Sequence, residues 1–148
     1  QAAAGTIGVR CRFMRSGRWL YAGRRHVKQI LIDLLVNAVK FTEPGGKILI
    51  RWRMRNSEIE MSVIDTGVGI PNENVESLFN RYQRGNHTIA ADKPGVGLGL
   101  SLVKGMVEAH DAQISIRSRV GRGTEMTVHF PVTRGRPRDA RIEQAIAS

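Results

Sequence analysis

Apolar residues recur along the chain with two different periods. Between Arg24 and Phe41 the step is three or four: Val27, Ile30, Leu31, Leu34, Leu35 and Ala38 form one stripe, and Ile32, Val36 and Val39 a second. That spacing predicts a helix. A helix apolar nearly all round is expected to be buried on most sides. Thr42-Glu43-Pro44-Gly45-Gly46 stops it. Elsewhere the step is two. Ile7, Val9, Cys11 and Phe13 predict a strand over Thr6 to Met14, followed by a turn at Ser16-Gly17 and a short return strand over Trp19 to Tyr21. Lys47 to Arg55 and Glu58 to Asp65 read as a hairpin about Asn56-Ser57. Gln113 to Ser118 and Thr124 to Phe130 read as another about Gly121-Arg122-Gly123. Pro71 opens a helix over Asn72 to Phe79. The glycine run Gly95 to Gly99 precedes a helix reaching about His110, and the aperiodic stretch Gln83 to Pro94 predicts a mobile loop. Hairpins dominate this order. The expected fold is therefore an α/β two-layer sandwich, a mixed, mostly antiparallel sheet with helices on one face.

The length of 148 residues suits one core. A domain is expected over residues 1–133, with a basic tail over 134–148, where Arg134, Arg136, Arg138 and Arg141 surround Gly135 and Pro137. The chain starts at Gln1 without a methionine, as expected of a piece of a longer protein. No stretch has the roughly 20 apolar residues of a membrane span, and no signal peptide opens the chain. A cytoplasmic domain without direct membrane contact is the expectation. Cys11 is the only cysteine, so no disulfide or thiolate metal site can form within the chain; it is expected as a small buried or half-buried hydrophobe. The net charge of +10 suits either nucleic acid or an anionic ligand or acidic partner. The arginine clusters lack the aromatic interleaving of a single-strand binder, so no nucleic-acid partner is expected.

Three features carry chemistry. Asp33, Asn37, Lys40 and Phe41 fall at i, i+4, i+7 and i+8, one line along an otherwise apolar helix. Polar groups on a buried helix cost free energy unless they find partners. Either this line faces a cleft holding a metal and phosphates, or it satisfies itself as an exposed strip. Asp65 shares its strand phase with Ile59, Met61 and Val63, so its carboxylate points toward the core and demands a donor. A purine's exocyclic amine would be one, and Thr66-Gly67-Val68-Gly69-Ile70 would let a flat ring approach the backbone. Alternatively, Asp-Thr-Gly is an ordinary turn at a strand end. Third, Gly95-Val96-Gly97-Leu98-Gly99-Leu100-Ser101 opens a helix, where free backbone N–H groups attract phosphate. It is neither a dinucleotide fingerprint nor a P-loop.

In this order the segments resemble the ATP-binding catalytic domain of bacterial sensor histidine kinases, a branch of the Bergerat-fold superfamily. Asp33 to Thr42 resembles the N box and Asp65 to Ile70 the first glycine box. Leu78-Phe79-Asn80-Arg81-Tyr82 resembles the F box, Gly95 to Ser101 the second glycine box, and Gly121 to Met126 the closing glycine-threonine strand. The resemblance runs from about Arg10 to Val132. It implies an ATP site in which Asn37 ligates Mg2+, with Asp33 a second candidate, and Lys40 meets the phosphates. Asp65 would bind the adenine amine near Gly67, Gly69 and Thr124, with Phe41, Ile70, Tyr82 and Leu100 also at the nucleotide. Gln83 to Pro94 would be the ATP lid, Gly95, Gly97, Leu98 and Gly99 would cradle the triphosphate, and Arg84 would help neutralise the transferring phosphate. Phosphoryl transfer needs mainly positioning and charge stabilisation, which these groups supply.

Three positions depart from the family pattern. Asp33 replaces the first N-box asparagine, Phe41 cannot hydrogen-bond, and His110-Asp111-Ala112 replaces His-Gly-Gly, which makes a left-handed cap less comfortable. None of His26, His87, His110 and His129 fits the phosphoacceptor motif. The acceptor is therefore expected upstream, on a helical dimerisation domain of a homodimeric protein, with a response regulator receiver domain as the onward partner. Two rival readings stand. The superfamily's ATPases use an acidic residue near the place of Asp33 to activate water. A degenerate nucleotide-binding module would signal by contact alone.

Overall fold

The computed structural model describes residues 5–13, 22–79 and 96–131, the side chains of 96–98 excepted. The chain runs β1 (Gly8–Phe13), α1 (Arg24–Phe41), β2 (Lys47–Arg55), β3 (Glu58–Asp65), α2 (Asn72–Val75) continued by a 3-10 turn (Glu76–Phe79), α3 (Val96–Glu108), β4 (Gln113–Arg119) and β5 (Gly123–Pro131). One five-stranded sheet has the order β1-β2-β3-β5-β4. β1 runs parallel to β2, and every other neighbouring pair is antiparallel. The expected mixed, mostly antiparallel sheet is present. The expected turn at Ser16-Gly17 and the return strand over Trp19 to Tyr21 lie outside the described residues, as does the tail.

Both hairpins have backbones suited to their turns. Asn56 and Ser57 take φ of 51° and 65°, the double left-handed pair of a tight two-residue hairpin. Gly123 opens β5 at φ 122°, and a Cβ there would lie 1.9 Å from the carbonyl oxygen of Asp65. Only glycine lets β5 start so close to the end of β3.

The core lies between the sheet and the helices. Ile30, Leu34 and Ala38 of α1 and Leu100, Val103 and Val107 of α3 close over Ile48, Met61, Val63, Met126, Val128 and Phe130 of the sheet. The stripe Ile32, Val36 and Val39 is 40–48% exposed, against the expectation that α1 is buried on most sides. α1 packs against the sheet on one side and α3 on its flank, and among the described residues no second layer covers its far side. Cys11 is likewise exposed rather than buried, because β1 is the edge strand and is exposed along its whole length.

The other sheet face is polar. Arg51 and Arg53 alternate with Trp52 along β2, and each is paired: Arg51 with Glu125 at 2.6 Å, Arg53 with Glu60. At the far end of the helical layer, His110 Nε2 accepts the Gly23 N–H at 3.1 Å while its Nδ1 lies 2.8 Å from the Met106 carbonyl. The neutral ring with its proton on Nδ1 satisfies both and ties the start of α1 to the end of α3. α3 closes on a Schellman motif, with Asp111 N–H bonded to Glu108 O and Ala112 N–H to Val107 O. Asp111 holds its left-handed position at φ 53°, the uncomfortable cap that the sequence implies.

Candidate nucleotide site

A cavity opens where α1, the end of β3, the loop after it, α2 and the start of α3 converge over β5. Asp65 is the carboxylate buried in its wall. Burial pushes this carboxyl's pKa above the usual aspartate value, and backbone N–H groups of Gly67 and Thr124 pull it partly back. Gly67 N donates to Asp65 Oδ1 at 2.8 Å. Asp65 and Thr124 face each other across the β3–β5 ladder. Thr124 Oγ1 lies 2.7 Å from Ser118 Oγ, which also accepts the Ile70 N–H at 2.7 Å. Ser118 thus fixes both the threonine and the loop that carries Ile70.

Asn37 projects into the same cavity from α1. It is buried, and its amide nitrogen has no hydrogen-bond partner among the described residues. A buried unpaired amide is costly in a folded chain and marks a place where an outside group completes the site. The two ends of an amide are nearly the same in shape, so a half-turn of the group presents either the nitrogen or the oxygen to a ligand.

Asn37, Phe41, Asp65, Gly69, Ile70, Leu100 and Thr124, all expected at the nucleotide, line this one cavity. Gly67 is buried beside it, but for a different reason than expected. A Cβ on Gly67 would lie 2.3 Å from the Phe41 carbonyl oxygen, and one on Gly69 2.1 Å from that of Arg119. These glycines let the loop press against the chain itself, between the end of α1 and the β4–β5 hairpin. Val68 N–H bonds to Phe41 O and Gly121 N–H to Val68 O, which locks the loop on both sides.

Lys40 is half-buried and does not line the cavity. Asp33 is also outside the lining, and its Oδ1 accepts from Gln29 Nε2 at 2.9 Å. The residues share a line along α1 but not a direction: at about 100° per residue, Asp33 and Lys40 lie roughly 40–60° round the helix from Asn37. Gly97, Leu98 and Gly99 are expected to precede a helix, yet α3 begins at Val96 and takes them into its first turn. The first turn is where backbone N–H groups lack intrahelical partners. Gly95, Tyr82 and Arg84, with the expected lid, lie outside the described residues.

Leu34, Ala38, Val63, Asn74, Leu78 and Met126 complete the wall; four of them fall inside the family-like motifs, but none was expected at the nucleotide. Val63 and Met126 are findable, since they precede Asp65 and follow Thr124 by two positions and so share their face. Asn74 and Leu78 depend on where a short helix is laid down, which periodicity does not fix.

Comparison with known proteins identifies the family. Residues 22–134 match the family described as "Histidine kinase-, DNA gyrase B-, and HSP90-like ATPase". The chain is 45% identical over 111 residues to the circadian input-output histidine kinase CikA of Synechococcus elongatus, covering 74% of this chain and 15% of that protein. It is 37% identical over 143 residues to the cell-division control histidine kinase PdhS of Brucella abortus, covering 90% of this chain and 14% of that protein. The chain thus spans about a seventh of the length of these curated relatives. The catalytic domain of histidine kinase ThkA has a similar fold, with a TM-score of 0.70, 28% identity, and 84% of this chain and 78% of that chain covered.

Proposed function

The chain belongs to the family of histidine kinase-, DNA gyrase B- and HSP90-like ATPases, as an ATP-binding catalytic module of the sensor histidine kinase kind, and from that premise we propose that it transfers the ATP γ-phosphate to a histidine on a helical domain elsewhere in its protein. The observation that carries the reading is the convergence of a buried, donor-seeking carboxylate and a buried, partnerless amide in one apolar cavity. Asp65 has spare acceptor capacity for an exocyclic amine, and Ile70, Leu34 and Met126 offer an apolar wall to a purine ring. Asn37 faces the cavity from the α1 side.

The donor set suits Mg2+. This ion takes oxygen ligands and is usually held by one or two protein groups together with phosphates and water. Asn37 would hold it through its amide oxygen, with Asp33 placed too far round α1 to line the cavity. When bound, Mg2+ neutralises charge on the transferring phosphate. Lys40 and the first-turn amides of α3 are the chain's own groups for the remaining phosphate charge, with Arg84 following the F box. A response regulator receiver domain is the proposed onward acceptor, and a homodimer the proposed state of the whole protein. Residues 134–148 are proposed as a tail outside the module.

The described histidines have other duties. His110 bridges Gly23 and Met106, His26 stacks edge-on against it, and His129 sits on the opposite sheet face. The experiment is to supply Mg2+ and labelled ATP to this chain, alone and with a helical phosphoacceptor domain from its own protein. Acid-labile label should reach a histidine of the added domain and not this chain. Label on His26, His87, His110 or His129 would refute the reading. The ATPase alternative predicts steady release of phosphate that falls in Asp33→Asn. The degenerate-module alternative predicts nucleotide binding with neither transfer nor release.

A further inference from the structure

We propose that Glu58, Glu60 and His129 form a binding site for a divalent transition-metal ion, with Zn2+ as its representative, on the sheet face opposite the nucleotide cavity. Glu58 and Glu60 are two apart on β3 and so share a face. Glu60 pairs directly across the ladder with His129 of β5. Asp65 and Thr124 have the other parity, so the two sites lie on opposite sides of the same two strands.

The distances between these groups suit a metal ion as the cation that joins them. His129 Nδ1 lies 3.3 Å from Glu58 Oε2 and 3.6 Å from Glu60 Oε1. A proton shared between imidazole and carboxylate draws the heavy atoms to about 2.7–2.9 Å. A tetrahedral ion with ligand bonds of about 2.0–2.2 Å holds its ligands about 3.3–3.6 Å apart. The two separations from His129 Nδ1 match the second case, and all three ligand atoms lie within 4.8 Å of one another.

The surroundings orient the ligands as metal sites require. His129 Nε2 lies 2.9 Å from Ser115 Oγ of β4. In the tautomer that donates from Nε2 to Ser115, the Nδ1 lone pair faces the two carboxylates and is available to a cation. Arg53 Nε bonds to Glu60 Oε2 and leaves Oε1 as the ligand atom. Glu60 is buried and Glu58 half-exposed, so the site has a fixed wall and an open approach. Three protein ligands leave a fourth position for water. One imidazole and two carboxylates favour Zn2+, Ni2+ or Cu2+ over Mg2+ or Ca2+, which prefer all-oxygen shells. The bound ion would staple β3 to β5, with β4 held through Ser115.

The test is calorimetric titration of the full 148-residue chain with Zn2+, without nucleotide, alongside thermal unfolding. One equivalent should bind in the micromolar range, and the unfolding midpoint should rise with Zn2+ concentration. His129→Gln should abolish this binding. Glu58→Gln and Ser115→Ala should each weaken it at least about tenfold. No binding to the parent chain overturns the site. So does binding that survives His129→Gln, which would put the ion elsewhere, for instance between His26 Nδ1 and His110 Nε2, 3.4 Å apart. If His129→Gln does not fold, the half-exposed Glu58 decides the matter, and unchanged Zn2+ affinity in Glu58→Gln overturns the proposal.

Discussion

In the loop from Thr66 to Ile70, the chain itself accounts for each missing side chain. A Cβ on Gly67 would meet the Phe41 carbonyl at 2.3 Å, and one on Gly69, at φ 75°, the Arg119 carbonyl at 2.1 Å. In the second glycine run, a Cβ on Gly99 meets no described residue within 4 Å. The two runs look alike in composition, and both sit near one cavity. Yet the first is a wedge between the end of α1 and the β4–β5 hairpin, and the second is the first turn of a helix with no described residue close beside Gly99. Glycine in the first is therefore a condition of folding, while no described part of the fold demands glycine at Gly99. Nucleotide contact is the reason proposed for the second.

Gly69 is where this difference between the runs should be largest. Gly69→Ala adds a backbone clash to a left-handed position, and together these should cost about 3–5 kcal/mol. Chemical denaturation should show the loss directly, or the variant should fail to accumulate as a folded protein. A fully stable Gly69→Ala would mean that the loop can pull away from Arg119, and the wedge would cease to distinguish the two runs.

Asp65 sharpens the contrast next, because the first loop's other task is to hold this carboxylate. Asp65→Asn removes an acceptor but no packing, and should weaken binding of a non-hydrolysable ATP analogue with Mg2+ by about 1–3 kcal/mol. Its effect on stability has the opposite sign. Burial raises the folded-state pKa above the ordinary value of 3.8. The contribution of Asp65 to the nucleotide-free fold is thus fully present below the ordinary pKa and lost as pH rises through the raised one. Asp65→Asn should abolish that part of the pH dependence and be no less stable than the parent at neutral pH. A mutant that loses stability along with affinity would make Asp65 a turn residue.

Much of this architecture is legible in the chain. The periods of α1 and of the two hairpins dictate those elements, and a carboxylate in the apolar phase of β3 announces itself as a buried charge in need of a partner. What a pattern cannot tell is how many layers surround an element. The second stripe of α1 repeats as regularly as the first, yet it faces outward because the described residues form one sheet, on the other side of α1. β1 alternates like any strand, and nothing in that alternation says that it lies at the edge, parallel to β2, with Cys11 exposed. The spacing of Asp33, Asn37 and Lys40 holds along the helix, but around it only Asn37 reaches the cavity. Glu58, Glu60 and His129 come together only through the register of β3 with β5, which sets Glu60 opposite His129.

Gly99 tests the second run. Alanine inside a helix is favoured over glycine by about 0.5–1 kcal/mol, and no described residue imposes an opposing clash. Gly99→Ala should therefore raise stability to denaturant by that amount while weakening Mg2+-nucleotide binding in calorimetry. Lower stability would place an unseen neighbour against Gly99 and make both runs structural. Unchanged affinity would remove the nucleotide as the reason for glycine there.

The smallest effect separates the two ingredients of the first loop. Gly69 combines a positive φ with a close approach, so the cost of replacing it cannot be assigned to either alone. Asp111 offers positive φ nearly alone. It stands at φ 53° in the Schellman cap of α3 and is exposed, where the family pattern has glycine. Aspartate tolerates this region better than most residues, because its short polar side chain can bond locally. Glycine would relieve the remaining strain but loses more freedom on folding, and the two partly cancel. Asp111→Gly should therefore gain only about 0.5 kcal/mol. Urea unfolding should show a small rise in midpoint with an unchanged slope, and nucleotide affinity should not move. That small gain, set beside the several kcal/mol expected at Gly69, would assign the wedge to steric approach rather than to backbone handedness. A gain as large as the Gly69→Ala loss would reverse the assignment, and the first run would then owe its glycines to φ.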